Sequence, residues 1–449
     1  MHRRLIFPVL LGLYLLASSV FAMDKILDAS HIDQAPVSLT EYFAVLEDPK
    51  LALTLDDIQK PDIANRFKAG QAPAAALNYG YSRSAYWLRL TLRNTSDLPL
   101  ERLLEIGYAR LADIQFHQPL ADGSYQSLTT GSVMPFATRP YKNRFFVFPL
   151  LLPAHSEQVY YLRVQAMSSL LIPARLWEPR AFHQYERNDY IAQAWYFGMA
   201  TAMILFNLLL FIALKDVIYL LYVSFVTCMV LSMAAQNGLT KEFLWLDSPL
   251  WSVISTATGY SLTIAAMLAF MRRMLNTERI IPKLDRWLKV LVGFFLFFLP
   301  LMFVVSAQTV LKPAVQLYGI MLVVIIGIGL YCAFKRQRSA YFFVGAFALF
   351  CFGGVIGIMT ALKLLPVNIL TMNALQFGSA LEMLLLAIAL ADRFNVIRRE
   401  KEKAQRAALE AQQLLVENLK WVQPQFKAAA AATEGTPKRF IFCQNCVHL

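Results

Sequence analysis

Trp87, Arg89, Arg139, Tyr141, Arg144 and Trp177 are side chains of the kind with which a protein grips a small polar molecule. Guanidinium groups make paired hydrogen bonds to planar acceptors. Indole and phenol rings offer flat apolar faces with a polar edge, which suits the C–H faces and hydroxyl rims of sugars. The chemistry they point to is ligand contact, with no catalytic constellation and no cofactor. Each of them can equally serve a core or a solvated surface. Asn207 and Glu382 are different, because they lie inside long apolar runs where a polar group is costly. They either couple helix association to a change of state or lock helices by hydrogen bonds of about 1 kcal/mol each. Near the end, Cys443-Gln444-Asn445-Cys446 with His448 falls short of the tetrahedral set that zinc needs, so no metal is expected.

The elements that must position these residues follow from patterning. Residues 1–22 read as a secretory signal: basic His2, Arg3 and Arg4, an apolar core over 5–16, and Val20-Phe21-Ala22 before the cleavage point. Residues 23–187 change to short alternating stretches, the clearest being 85–93, 103–106, 144–150 and 158–164, with turn residues such as Asp122-Gly123 between them. That rhythm predicts an all-β, jelly-roll-like antiparallel sandwich holding the six candidate contacts. No cysteine falls in this block, so its core and not disulfides must hold it.

Seven apolar runs follow at about 190–214, 217–236, 252–271, 290–308, 313–334, 340–361 and 369–391. With 57% apolar and 16% charged residues, the chain is no soluble domain. The net charge of +12 gathers at the ends of these runs, at Arg272, Arg273, Lys335, Arg336, Arg338, Arg393, Arg398 and Arg399, which argues against nucleic acid as a partner. Six basic residues in 272–289 and three in 335–339 set those connections in the cytoplasm and the sandwich in the periplasm, a multi-pass inner-membrane arrangement. Residues 392–423 then form a charged helix. Ile397, Ala404, Ala411 and Asn418, with Lys401, Ala408, Leu415 and Val422, repeat every seven positions, a weak coiled-coil seam suited to a homodimer. Pro424 is expected to end that helix and 424–449 to form a disordered low-complexity tail.

Together these residues resemble the bacterial seven-transmembrane receptors with diverse intracellular signalling modules. In the first half the resemblance rests on Tyr86-Trp87-Leu88-Arg89-Leu90 with Asn94, Leu104-Glu105-Ile106-Gly107-Tyr108, Arg139-Pro140-Tyr141 and Tyr161-Leu162-Arg163-Val164. In the second it rests on Phe206-Asn207-Leu208-Leu209-Leu210-Phe211, Lys215-Asp216, Tyr219-Leu220-Leu221-Tyr222 and the run from Leu381-Glu382 to Asp392-Arg393. The first group is similar to that family's type 2 extracellular domain, a jelly roll resembling carbohydrate-binding modules. The resemblance implies a receptor that senses a periplasmic small molecule, a carbohydrate being one class, and passes the signal through seven helices to a cytoplasmic helix. Family members typically end in a kinase or cyclase. This chain is expected to be non-enzymatic and to act through a separate kinase or cyclase, or to be the truncated sensory half of a hybrid histidine kinase or diguanylate cyclase. A transporter or envelope-processing protein with a carbohydrate-binding front is the reading from another class.

Overall fold

The computed structural model describes residues 25–69, 74–304, 307–336 and 338–433. The export signal and the Cys443, Cys446 and His448 set fall outside the described residues. Strand residues alternate as expected: Leu88, Leu90 and Leu92 of one long strand are fully buried between two sheets, while Trp87 belongs to a second cluster on the opposite face. The strands are β1 (Ile26–Asp28), β2 (Val37–Ser38), β3 (Phe43–Asp48), β4 (Leu77–Tyr81), β5 (Ala85–Asn94) and β6 (Leu100–Ile106). They continue with β7 (Leu111–Pro119), β8 (Tyr125–Thr130), β9 (Phe146–Leu152), β10 (Ser156–Ala166), β11 (Ser169–Ile172) and β12 (Ala174–Trp177).

The larger sheet runs β1-β5-β10-β7-β8, with β3 on the same edge of β5 as β1, and the smaller runs β2-β12-β6-β9. Their inner faces share one apolar core, which includes Tyr160, Phe116 and Phe148. The fold is therefore the expected sandwich, with one departure. β1 pairs with β5 in parallel, because the chain enters along the edge of β5 and leaves it through a 3-10 turn at Ala29–His31 before β3 returns antiparallel.

Among the described residues seven long helices follow: α1 (Pro179–Leu214), α2 (Val217–Gln236), α3 (Pro249–Met274), α4 (Pro282–Val304), α5 (Ala307–Phe334), α6 (Arg338–Ala361) and α7 (Ile369–Thr433). Six of them are long and apolar enough to cross a membrane among the described residues, and α4 occupies the stretch of the fourth expected span. The α1–α2 hairpin is tight because Lys215 takes a left-handed conformation (φ 57°) and the Asp216 carboxylate caps Ile218 N at 3.1 Å. Two boundaries differ from expectation. Helix α1 starts at Pro179, inside the block assigned to the sandwich, since Pro179 pre-sets the first turn and Glu178 caps it through Ala181 N.

At the other end, Pro424 does not stop the helix, which runs to Thr433. The alanines at 428–432 have the highest helix propensity and outweigh the one lost hydrogen bond, so the expected disorder of 424–449 is corrected as far as Thr433.

The chain divides into two compact units at Leu386/Ala387. The first holds the sandwich and the bundle. In the second, the helix is solvated, with Lys401, Ala404, Ala408, Ala411 and Leu415 of the heptad series exposed and Arg398 paired with Glu402 at 2.8 Å.

Within the bundle, α6 meets α7 at close quarters through glycine. A Cβ on Gly353 would lie 2.3 Å from the Ala374 carbonyl oxygen, and one on Gly378 would lie 2.6 Å from that of Leu349. Small residues at such crossings let backbones approach in lipid, where van der Waals contact drives association. Gly353→Val should therefore force the helices apart, lowering stability by roughly 1–3 kcal/mol. Gly345→Ala, on the same helix with no neighbour within 4 Å of its new Cβ, should leave it unchanged; thermal melts of both full-length variants in detergent compare them directly.

Candidate functional site

The six candidate contacts separate into two places. Trp87 and Arg89, two apart on β5, share the face of the larger sheet that points away from the sandwich core. Trp87 is buried, its indole stacked on His117 with ring centroids 5.5 Å apart. The Arg89 guanidinium lies 4.7 Å from the centre of the Phe67 ring. Phe67 belongs to a segment that roofs this face, built from the short helix Leu55–Gln59 with its Thr54–Asp57 capping box. Lys68 straps the segment down by exchanging backbone hydrogen bonds with Val45 at 2.9 Å. The aromatic face is thus closed by the chain's own roof.

The other four candidates meet where the sandwich joins the helices. Arg144 lies in the β8–β9 connection and is nearly enclosed. Its Nε and Nη2 donate to the two carboxylate oxygens of Asp189 on α1 at 2.8 and 2.7 Å, and Nη1 donates to the Asn237 carbonyl beyond α2 at 2.9 Å. Its backbone N–H donates to Tyr190 Oη at 3.2 Å, and Tyr190 donates in turn to Glu242 at 2.7 Å. Tyr141 donates to Glu186 at 2.8 Å, and Asn143 Nδ2 donates to the same carboxylate at 2.7 Å. Gly238 makes this approach feasible: its φ of +81° is left-handed, and a Cβ there would lie 2.8 Å from the Arg144 carbonyl oxygen.

Arg139 and Trp177 brace the same corner from behind. Arg139 Nη1 donates to the carbonyls of Asn143 and Phe145, and the guanidinium lies between the rings of Phe136 and Phe146 at 4.8 and 4.4 Å. Burial pulls its pKa down to about 10. Trp177 Nε1 donates to the fully buried Glu105 at 2.7 Å, and Arg175 pairs with the same carboxylate at 3.0 Å. The Trp177 ring stacks on Tyr185 of α1 at 4.7 Å. In this structure these four residues have protein partners, and together they fix α1 to the sandwich.

On the helix side a polar cluster continues inward. Asn237 Nδ2 donates to Gln376 Oε1 on α7 at 3.0 Å, and Gln376 Nε2 donates to Gln193 Oε1 on α1 at 3.0 Å. One turn further, Tyr196 and Ser379 share a hydrogen bond of 2.8 Å. Asn207 and Glu382, the two polar residues that sequence singles out, do not make these bridges. Asn207 Nδ2 donates back to Met203 of its own helix at 2.8 Å. Glu382 is fully buried, and neither carboxylate oxygen has a hydrogen-bond partner among the described residues.

Sequence reasoning passed over Asp189, Glu186, Asn237, Gln193 and Gln376. The available signal was their position, as polar residues within a turn or two of a span's end and beside the basic loop 139–144.

The closed aromatic face carries a pH dependence. Burial lowers the His117 imidazole from 6.5 to about 4, and its Nε2 has no partner among the described residues. Since the folded ring binds its proton less tightly than the unfolded one, its contribution is whole above about pH 6.5 and is lost as pH falls toward 4. The thermal midpoint of the sandwich, followed by tryptophan emission in the full chain, should drop by roughly 3–6 °C more between pH 7 and 4 than in His117→Gln.

The two parts of the junction correspond to two family models. The model described as 7TMR-DISM extracellular 2 matches residues 40–178, and the one described as 7TM diverse intracellular signalling matches residues 189–393. Arg144 and Asp189 therefore join the two matched regions. No curated protein matches the chain. With both regions matched in order along one polypeptide, the chain belongs to the 7TMR-DISM family of multi-pass membrane sensory receptors, in the form that carries the extracellular 2 domain.

Proposed function

We propose that this receptor senses a small molecule with its sandwich outside the cytoplasm and relays the event through the Arg144 junction to α7. The basic connections at 272–289 and 335–336 support that orientation in an inner membrane by the positive-inside rule. They lie at the end of the bundle away from the sandwich, whose hydrogen bonds to the bundle include those to Asn237 and Leu246 of the α2–α3 connection and to Thr360 in the last turn of α6. A carbohydrate is the ligand class that the aromatic and arginine content of the sandwich suits. We assign the chain no catalytic step. Its output would be the pairing of two copies along the heptad series, read by a separate kinase or cyclase.

The observation that carries this reading is one residue with two roles. Asn237 holds the sandwich with its carbonyl, through Arg144, and holds α7 and α1 with its side-chain amide, through Gln376 and Gln193. A shift of the 139–144 loop that carries Asn237 with it would therefore move or break the bond to α7. Coupling of this kind needs an element with two discrete arrangements that both sites bias, and directional amide bonds at a helix end supply such alternatives.

Cysteines placed singly at Ala404, Ala408, Ala411 and Leu415, in a background without the native cysteines, report the pairing of the terminal helix in membranes. Asn237→Ala and Gln376→Ala, each removing bonds worth about 1 kcal/mol, should change which positions cross-link while leaving the protein folded. Arg144→Ala should do so more strongly, because it leaves Asp189 partly buried without its partner, a loss of about 3 kcal/mol. An unchanged cross-linking profile in all three variants would refute the relay.

A further inference from the structure

A cavity of about 180 Å³ lies between the sandwich and the helix ends beneath it. For scale, an engineered apolar cavity of about 150 Å³ takes up benzene. Ile264 and Met267 of α3, Leu322 of α5 and Phe350 of α6 line its deep part. Arg110 and Ser168 line it from the sandwich. Thr263 and Tyr318 lie among these residues, their hydroxyls donating to the Gly259 and Ala257 carbonyls at 2.8 and 2.9 Å, so the surface is mostly apolar at depth and cationic at one end.

Arg110 meets no carboxylate, and it lines a cavity; Arg139 also meets none and has buried Nε and Nη2 without a hydrogen bond among the described residues, but it is held between the Phe136 and Phe146 rings and does not line this cavity. Arg144, Arg163, Arg175 and Arg272 each meet a carboxylate, and Arg102 is satisfied by the carbonyls of Ala29, Ile32 and Glu101. Among the described residues Arg110 has one hydrogen bond, from Nη2 to Tyr108 Oη at 2.6 Å, and its buried Nε has none. Ser168 Oγ is also buried without a partner. A guanidinium stays charged at any physiological pH, and a buried charge without a partner is strongly unfavourable. A partner suited to these groups is an anion with planar acceptors, attached to something apolar that fills the deep part.

We propose that this cavity binds a single-chain carboxylate amphiphile, a fatty acid of about eight carbons, with its headgroup on Arg110 and Ser168. About 180 Å³ cannot hold a headgroup together with two acyl chains, so the ligand proposed is single-chain. The site goes beyond the sensing role of the sandwich and does not depend on the relay through Asn237. One lining residue offers a way to close it: Gly357 lines the cavity on α6 within a turn of Thr360, and a Cβ there would meet nothing within 4 Å. Gly357→Leu therefore starts its added bulk in open space.

The test uses the full chain in nanodiscs of zwitterionic lipid, with radiolabelled octanoate as probe and empty discs subtracted. Saturable binding is expected, with methyl octanoate competing at least ten-fold less well than unlabelled octanoate. Arg110→Gln should weaken octanoate binding at least ten-fold, the scale of one hydrogen-bonded charge. Arg110→Lys should retain part of it, and Gly357→Leu should abolish it while the protein keeps its melting temperature. Absence of saturable binding, equal competition by acid and ester, full affinity in Arg110→Gln, or a phospholipid retained stoichiometrically by the delipidated protein would each overturn the proposal.

Discussion

A guanidinium taken out of water is costly unless its edges are met, and all of Arg144's are met only when three parts of the chain are in place. Asp189 supplies both carboxylate oxygens from α1, and Asn237 supplies a carbonyl from the end of α2. The Phe145 ring, 4.0 Å from the guanidinium carbon, covers a face. Desolvating the pair costs several kcal/mol, which good geometry offsets and poor geometry does not. The junction is therefore selective before it is stabilising. A sandwich rotated on its helices would leave a buried cation facing apolar side chains, so the orientation of one folded part on the other follows from the chemistry of one residue.

Helix–helix contacts in the membrane obey a related rule with smaller terms. Lipid gives helices no hydrophobic reason to associate, so close backbones and side-chain hydrogen bonds do that work. Both occur on α7: Gly378 lets α6 approach, while Gln376 and Ser379 bond to residues near α1 and α2. These bonds cluster near the sandwich. Deeper in the bundle, Glu382 has no such bond among the described residues, and Tyr222 Oη beside it has none either. The α1–α7 contact is tied by polar groups at the sandwich end, while in mid-bundle Tyr318 of α5 bonds to Ser261 and the Ala257 carbonyl of α3 at 2.8 and 2.9 Å.

Much of the fold was legible because its rules are local. Alternation marked β5, β6, β9 and β10 within a few residues, and Lys215-Asp216 announced a hairpin that the left-handed Lys215 closes. The candidate site was less legible, for a physical reason. Residue type shows that Arg144 wants an anion, but its partners lie 45 and 93 positions away in sequence and no periodicity links them. Trp87 and Arg89 share a face by spacing alone, yet spacing cannot say that residues 53–67 come back to cover it. Pro424 shows the same limit at short range: the rule that proline ends helices is sound on average, and the alanines beyond it carried α7 onward to Thr433.

Arg144 and Arg110 differ in the bonds the protein makes for them and in the cavity beside Arg110; an unmet nitrogen alone does not mark a ligand contact, since Arg139 has two and is held between rings. Both sit at the same junction, on the same domain, against the same bundle. Arg144 has its bonds made by the protein, so it is a fastener, and the loss of any partner is felt as instability. Arg110 has its Nε unmet and faces space rather than a carboxylate. Satisfied groups hold a receptor in one state, because their geometry admits little else. Unsatisfied groups beside a cavity make the energy of that state depend on what enters it. A junction built with both kinds has directional bonds that admit discrete arrangements, and a charge whose occupancy can favour one of them over another.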